Sequence, residues 1–129
     1  MDRDTYRPWR PEEFPRLKRE IVAVTWTGNG ELKIEMAESA DRLSLTVRFP
    51  NTRAYQGIDE GLRLLDSPDW SSVRALIYYS RTSPYLARFR ENAAGTMDNF
   101  PLIHWMVASC NECVDVITES DPTIVAKSN

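Results

Sequence analysis

The stretch "EIVAVTWTGNGELKIEMAESADRLSLTVRF", residues 20–49, decides the fold class. It holds three runs in which apolar and polar residues alternate, at 20–27, 31–37 and 42–49. Successive side chains of a strand point to opposite faces, so this alternation indicates strands with one buried face. The letters GNG between the first two runs supply the backbone conformations that a tight hairpin turn requires. The three runs therefore predict an antiparallel meander with one solvent-exposed face.

The predicted inward face of this meander is apolar throughout. Its members are Val22, Val24 and Trp26 in the first run, Leu32, Ile34 and Met36 in the second, and Leu43, Leu45, Val47 and Phe49 in the third. Charged and hydroxyl side chains occupy the alternate positions of the second and third runs. Pro50 ends the meander, since proline cannot donate to a strand ladder.

Further elements follow on the C-terminal side. The apolar runs at 72–80 and 100–109 each predict a strand. Between them, Ser83 before Pro84 and the later Gly95 are typical of the two ends of a helix, which we expect over 84–94. Residues 51–70 fit a helical stripe through Ile58, Leu62 and Leu65. They fit a strand with a bulge equally well, because Gly57 and Gly61 disfavour a helix.

A second helix is predicted over 110–119. Ser109 followed by Glu112 matches a capping box, in which each side chain bonds the other's free backbone N–H. Apolar residues then recur with helical spacing, at Cys110, Cys113, Val114 and Ile117. The pattern places both cysteines on the buried face of this helix.

Together these elements predict an α+β fold: an antiparallel sheet of about five strands with two or three helices packed on one face. The chain of 129 residues is expected to form a single domain, 1–129. Residues 1–19 contain three prolines and are expected to form an irregular or short-helical N-terminal arm. Its anchors on the domain would be Trp9 and Phe14.

The composition limits the function. Charged residues make up 27% and the net charge is −3, with the acidic residues concentrated at 59–69 and 91–129. An acidic surface repels phosphate backbones and attracts basic partners, so nucleic-acid binding is not expected. No apolar run reaches the roughly 18 residues of a membrane span, and the charged N-terminus does not resemble a secretory signal. We expect a cytoplasmic protein that does not bind membranes.

The Cys-x-x-Cys pair Cys110 and Cys113 raises a redox hypothesis. A thioredoxin-like site places this motif in the first turn of a helix that follows a strand, where the helix N-terminus favours the thiolate. Here too few residues follow the motif to complete that fold, and Glu112 between the cysteines disfavours a thiolate. We expect buried structural cysteines, because free cysteine is among the most buried residues. A thiol oxidoreductase that uses this pair remains the alternative.

Other chemistry finds fewer residues. The metal-ligand candidates are His104, Cys110 and Cys113, with Glu112 or Asp115 as a fourth. Structural zinc normally takes its ligands from two separated knuckles, and only one is present. No metal and no cofactor are therefore expected.

A catalytic Ser-His-Asp or Cys-His arrangement would have to use His104, the only histidine. Direct contact with Cys110 is not expected across the predicted strand-to-helix turn. The adjacent carboxylates Asp59 and Glu60 are expected to diverge, which argues against paired acid–base catalysis. We expect no enzyme and no catalytic residues, while a small-molecule-binding accessory domain stays open.

Residues 83–124, "SPYLARFRENAAGTMDNFPLIHWMVASCNECVDVITESDPTI", resemble the C-terminal half of small bacterial immunity proteins encoded beside polymorphic toxins, including contact-dependent inhibition and Rhs systems. The similar features are an aromatic-rich helix at 85–89, a strand at 102–105, the letters DVI at 115–117 and the following Asp121-Pro122. The stretch YQGIDEG at 55–61 is a weaker match. The resemblance covers about a third of the chain, and the two cysteines do not belong to its pattern.

The resemblance implies an immunity protein that binds and neutralises a cognate toxin domain. Many toxin domains attack nucleic acids and are basic, so an acidic inhibitor gains electrostatic steering toward a basic nuclease. The expected oligomeric state is a monomer or a weak dimer. The candidate partner-binding residues are Asp59, Glu60, Asp66, Asp69 and Trp70, because an exposed aromatic among charges is a common interface anchor. Burial of Trp70 behind its turn is the alternative.

Overall fold

The computed structural model describes residues 6–14, 20–39, 42–59, 75–109 and 112–126. In chain order its elements are β1 (Arg7–Pro8), β2 (Glu20–Trp26), β3 (Leu32–Ser39), β4 (Arg42–Phe49), β5 (Thr52–Asp59), β6 (Ile77–Ser80), α1 (Pro84–Asn92), β7 (Ile103–Ala108), β8 (Glu112–Thr118) and β9 (Thr123–Ala126). One sheet has the strand order β1-β6-β7-β8-β5, and the other has the order β2-β3-β4-β9. Every strand pair is antiparallel.

The predicted α+β architecture is wrong. The fold is β-rich, with two antiparallel sheets and, in the described part of the chain, one helix of nine residues. The predicted helix over 110–119 is replaced by strand β8 at 112–118, and residues 110 and 111 lie outside the described residues. Residues 11–14 of the N-terminal arm form a turn, and residues 15–19, where the short helix would continue, are also outside them.

The capping-box pattern was misleading because the same hydrogen bond also closes a hairpin. The hydroxyl of Ser109 accepts the backbone N–H of Glu112 at 3.0 Å, as a helix cap would. Its own O–H donates to the Glu112 carbonyl at 2.6 Å, and Ala108 pairs with Cys113 across the turn. This local interaction is therefore compatible with a β-turn, and tertiary contacts determine which structure forms.

Strand β8 shows no polar alternation because both of its faces are buried. Val114 and Val116 belong to the core between the two sheets. Cys113 and Ile117 belong to clusters on the opposite face of the five-stranded sheet. A strand buried on both faces is a nearly continuous apolar run, which periodicity alone does not distinguish from a buried helix.

The predicted meander is confirmed as β2, β3 and β4. Its predicted inward residues in β3 and most of those in β4 are buried, namely Leu32, Ile34, Met36, Leu45, Val47 and Phe49; the side chain of Leu43 lies outside the described residues. A register shift between Ile21 and Ala23 changes the face of β2 at its start, so Ile21 is buried and Val22 is exposed. The prediction for Val22 is therefore wrong, because alternation cannot anticipate a bulge.

The core between the sheets centres on Trp105. Its ring lies 5.5 Å from Trp9, 6.1 Å from Phe49 and 5.8 Å from Tyr79, between ring centroids. The stacked rings of Trp9 and Phe14 pack on the same cluster, which confirms these two residues as anchors of the N-terminal arm. Burial of several large aromatic side chains supplies much of the apolar area that holds the two sheets together.

Two other predictions are settled by the described residues. The helix predicted over 84–94 is confirmed as α1; Ser83 is its N-cap, and Gly95 follows with a positive φ of 86°. The open choice at 55–66 resolves as a strand for the described portion, since β5 continues to Asp59 and pairs with β8. Among described elements β5 pairs with β8 alone, so it is an edge strand.

Candidate functional site

His104 is the second residue of strand β7, on the face that α1 covers. Its neighbours Ile103 and Trp105 point into the core between the sheets, as the alternation of a strand requires. The imidazole side chain has no exposed surface. A fully buried histidine needs a hydrogen-bond partner for each ring nitrogen, and the fold provides both.

The two partners come from different elements. Nδ1 of His104 lies 2.7 Å from the hydroxyl oxygen of Ser83, the N-cap of α1. Nε2 lies 2.6 Å from Oδ1 of Asp115 on the adjacent strand β8. The second carboxylate oxygen of Asp115 accepts the side-chain amide of Gln56, on β5, at 3.0 Å. We call Ser83, His104, Asp115 and Gln56 the polar cluster; it connects α1, β7, β8 and β5.

One arrangement of protons satisfies these contacts. Ser83 accepts the backbone N–H of Leu86 at 3.1 Å, and its own O–H donates to Nδ1 of His104. The imidazole then carries its proton on Nε2 and donates to Asp115, which accepts from Gln56 as well. In this assignment both imidazole nitrogens and the serine hydroxyl are used within the protein.

Two tyrosine rings seal the polar cluster. Tyr6 and Tyr85 both meet the imidazole of His104 edge-on, with ring centroids 5.5 and 5.0 Å away. Burial, with a smaller contribution from the negative charge of Asp115 and against the opposing effect of Arg88, raises the pKa of Tyr85 to about 12. The phenol therefore stays neutral well beyond its ordinary range, which suits a partly buried side chain near the negative charge of Asp115.

The polar cluster contains the residue types of a serine hydrolase but differs in two physical respects. In such triads the serine faces Nε2 of the histidine and the aspartate faces Nδ1, whereas here the ring is reversed. Ser83, His104 and Asp115 are all 0% exposed, so no substrate reaches the hydroxyl in this conformation. The arrangement supports packing of α1 on the sheet and offers no open position for a reacting atom.

Sequence reasoning identified His104 but missed its partners. Ser83 was assigned only as a helix cap, and Asp115 was considered only as a possible metal ligand. A usable signal was present, because Asp115 is the one charged residue within the apolar run CVDVI, residues 113–117. An acid flanked by apolar residues on both sides indicates a buried, paired carboxylate.

The metal candidates within the described part of the chain do not form a metal site. The described residues contain no group of three or more His, Cys, Asp or Glu side chains that could hold a metal ion. Cys113 is buried on β8, as expected of a structural cysteine, and Cys110 lies outside the described residues. Since 112–118 is a strand, no helix there provides an N-terminus next to Cys113. The oxidoreductase hypothesis remains untested at Cys110.

Most of the predicted partner-binding residues lie outside the described part of the chain: Glu60, Asp66, Asp69 and Trp70. Asp59 is the last residue of β5, where it pairs in register with Glu112 at the start of β8. Two acidic positions therefore oppose each other at this end of the five-stranded sheet. The prediction that these residues contact a partner stays a prediction.

An exposed aromatic pair lies further along the same edge strand. Tyr55 of β5 is 40% exposed and Trp26 of β2 is 42% exposed, yet their ring centroids are only 5.1 Å apart. Tyr55 pairs with the core residue Val116, so its ring lies on the side facing the second sheet. This pair connects β5, at the edge of one sheet, with β2, at the edge of the other. The predicted burial of Trp26 is therefore wrong, and the pair was not anticipated because residues 55–66 were left open between helix and strand.

Comparisons with protein-family models, with curated proteins and with solved structures found no match. In the described part of the chain, no helix has the length and apolar character needed to cross a lipid bilayer.

Proposed function

We propose that this chain is an immunity protein that binds a cognate bacterial toxin domain in the cytoplasm and neutralises it without catalysing a reaction. The observation that carries the proposal is the edge strand β5, which presents an exposed Tyr55 against Trp26 and ends at Asp59 opposite Glu112. Exposed aromatic side chains next to charges are common anchors of protein interfaces. The resemblance of residues 83–124 to immunity proteins points to the same class.

Charge supports a basic partner. The chain has a net charge of −3, and residues 59–69 hold four acids against one arginine. We propose that Asp59, Glu60, Asp66 and Asp69, with Trp70, extend the partner-binding surface beyond the end of β5. Opposite charges on a toxin nuclease would speed the encounter between the two proteins and make its rate fall with added salt.

The test begins with the adjacent reading frame. The toxin domain encoded directly upstream is expressed alone and together with this chain, and growth and complex formation are measured by plating and size-exclusion chromatography. We expect the chain to restore growth and to co-elute with the toxin. An isolated metabolic gene neighbourhood, or a neighbouring toxin that still kills in the presence of the folded chain, would overturn the proposal.

A charge-reversal series locates the surface. Asp66→Lys and Asp69→Lys should slow association about tenfold or more at low salt, because each replaces an attraction by a repulsion. The matched control is Asp121→Lys, an exposed acid in the turn between β8 and β9. Equal association rates for all three variants would show that the acidic stretch does not guide the partner.

A further inference from the structure

Strand β5 leaves a gap between the ring of its own Tyr55 and the carboxylate of Glu112 on the neighbouring strand β8. Tyr55 and Gly57 occupy alternate positions, so they lie on one face of the sheet. Tyr55 and Gly57 lie about 7 Å apart along the strand, as do any residues separated by two positions. Because Gly57 has no side chain, the space beside Tyr55 on this face is left open, and Gly57 is itself exposed.

The carboxylate of Glu112 reaches toward this gap. Its Oε2 lies 3.6 Å from where a Cβ on Gly57 would stand. Glu112 is held at the β7–β8 turn by the hydrogen bonds of its backbone N–H and carbonyl to the Ser109 hydroxyl. The turn therefore fixes the backbone from which the carboxylate extends. On the other side of the gap, the ring of Tyr55 is held by its contact with Trp26.

We infer that this gap is a seat for an arginine side chain of a basic protein partner. A guanidinium combines a planar face that stacks on aromatic rings with N–H groups that pair with a carboxylate. The seat offers both features, with Tyr55 and Trp26 on one side and Glu112 on the other. Gly57 leaves room for the arginine stem. The inference rests on the proposed function, for which it names the partner's anchoring side chain.

The seat differs from the acidic stretch in what it recognises. Acidic residues alone attract any cation at long range, and salt screens that attraction. An aromatic wall beside one carboxylate selects a planar cation at contact distance, so arginine should bind better than lysine. The seat would thus supply specificity after the acidic stretch has supplied attraction.

The first experiment uses small probes on the full chain. Blocked tripeptides Gly-Arg-Gly, Gly-Lys-Gly and Gly-citrulline-Gly are titrated while the amide signal of Gly57 and the indole N–H signal of Trp26 are followed by NMR. The arginine probe should shift both signals saturably, the lysine probe should bind about three times more weakly, and the neutral citrulline probe should cause no saturable shift. Equal shifts from arginine and citrulline, or none at Gly57, would overturn the inference.

Three variants examine the parts of the seat. Glu112→Gln removes the charge, Tyr55→Leu removes the aromatic wall, and Gly57→Val fills the gap. The first two should each weaken the arginine probe about threefold, and the third should abolish its binding. Val125→Thr is the matched control: it changes an exposed apolar residue on β9, away from the seat, and should bind the arginine probe like the wild type. Unchanged binding in all three seat variants, verified as folded by circular dichroism, would contradict the seat.

The toxin separates this inference from the proposed function. If the adjacent toxin binds the wild type and the three seat variants equally well, the chain is an immunity protein whose partner does not use the seat. If the arginine probe binds at Gly57 but no adjacent toxin binds, the seat stands and the immunity function fails. Loss of toxin affinity of at least tenfold in Gly57→Val, with Val125→Thr unaffected, supports both.

Discussion

The polar cluster around His104 and the exposed edge of β5 show opposite combinations of chemistry and access. In the polar cluster, Ser83 and Asp115 each lie within 2.7 Å of a ring nitrogen of His104, but none of these three side chains has exposed surface. The edge holds the exposed rings of Tyr55 and Trp26 with the partly buried Glu112 nearby, and no histidine or serine among its described residues. The reactive residue types are therefore buried here, whereas the candidate interface consists of surface side chains.

The two regions also touch through one strand. Gln56 of β5 bonds Asp115 on the helix-facing side, while its neighbours Tyr55 and Gly57 lie on the other side. Because side chains alternate between the two faces of β5, this one strand contributes to both regions. The polar cluster holds β5 in register from the helix-facing side, and the opposite side of β5 carries the exposed residues. If this division is correct, mutations in the polar cluster should change stability, and mutations at the exposed edge of β5 should change binding.

The largest effect is expected for Asp115→Ala. The change leaves the buried Nε2 of His104 and the partly buried amide of Gln56 without their acceptor, so the free energy of unfolding should fall by about 3–5 kcal/mol. Urea denaturation followed by circular dichroism measures it. Asp121→Ala, which removes an exposed acid, should change the same quantity by less than about 0.5 kcal/mol. A loss below about 1 kcal/mol for Asp115→Ala would show that the polar cluster is not a main structural element.

Ser83→Ala should have the next largest effect. The variant removes the helix cap at Leu86 and the partner of Nδ1, which together should cost about 2–3 kcal/mol. Thr82→Ala changes the exposed neighbouring hydroxyl and is the control in the same denaturation assay. If both variants unfold at the same urea concentration, Ser83 contributes nothing to the packing of α1.

Alkaline pH should expose the role of Tyr85. Its pKa is raised to about 12, so the folded state keeps the phenol protonated where an unfolded chain releases the proton. The stabilisation from this tyrosine is complete below pH 10 and should be lost progressively between pH 10 and 12. Tyr85→Phe has no such proton and gives the reference curve. Parallel wild-type and variant stability curves across that range would contradict the raised pKa. The effect should be moderate, because part of the side chain is exposed to screening solvent.

The smallest change in stability is expected on the edge itself. A Cβ at Gly57 would make ordinary contact with Glu112, and the backbone there is not in the left-handed region. Gly57→Ala and Glu112→Gln should therefore alter the free energy of unfolding by about 0.5 kcal/mol or less. A loss above 2 kcal/mol in either variant would mean that this edge has a structural role, which would blur the division between the two regions.

The amount that sequence predicted differs between the two sheets for a physical reason. The meander β2–β4 has one solvent-exposed face, so its alternating apolar and polar residues predicted the strands, the hairpin and most of the buried residues. In the other sheet, the strands predicted at 72–80 and 100–109 are confirmed as β6 and β7. Strand β8 is buried on both faces, and there the helical spacing at Cys113, Val114 and Ile117 misled the assignment. Pairing across the sheet, which no local pattern encodes, decided between helix and strand.

The candidate site was less predictable than the fold. His104 and Ser83 were both singled out, but they are 21 residues apart, and only the packing of α1 on β7 joins them. The exposed pair of Trp26 and Tyr55 depends on contact between the edges of two sheets. Both features are tertiary. By contrast, the acidic stretch at 59–69 is visible in the sequence alone.

The most direct test of the division between the polar cluster and the edge compares Ser83→Ala with Glu112→Gln in binding to the adjacent toxin domain, measured by calorimetry on variants verified as folded. We predict that Ser83→Ala loses stability but keeps wild-type affinity, whereas Glu112→Gln keeps stability and loses affinity about fivefold or more. Tyr85→Phe, a milder change next to the polar cluster, should also keep wild-type affinity. Loss of affinity in Ser83→Ala and Tyr85→Phe, with Glu112→Gln unaffected, would contradict the account.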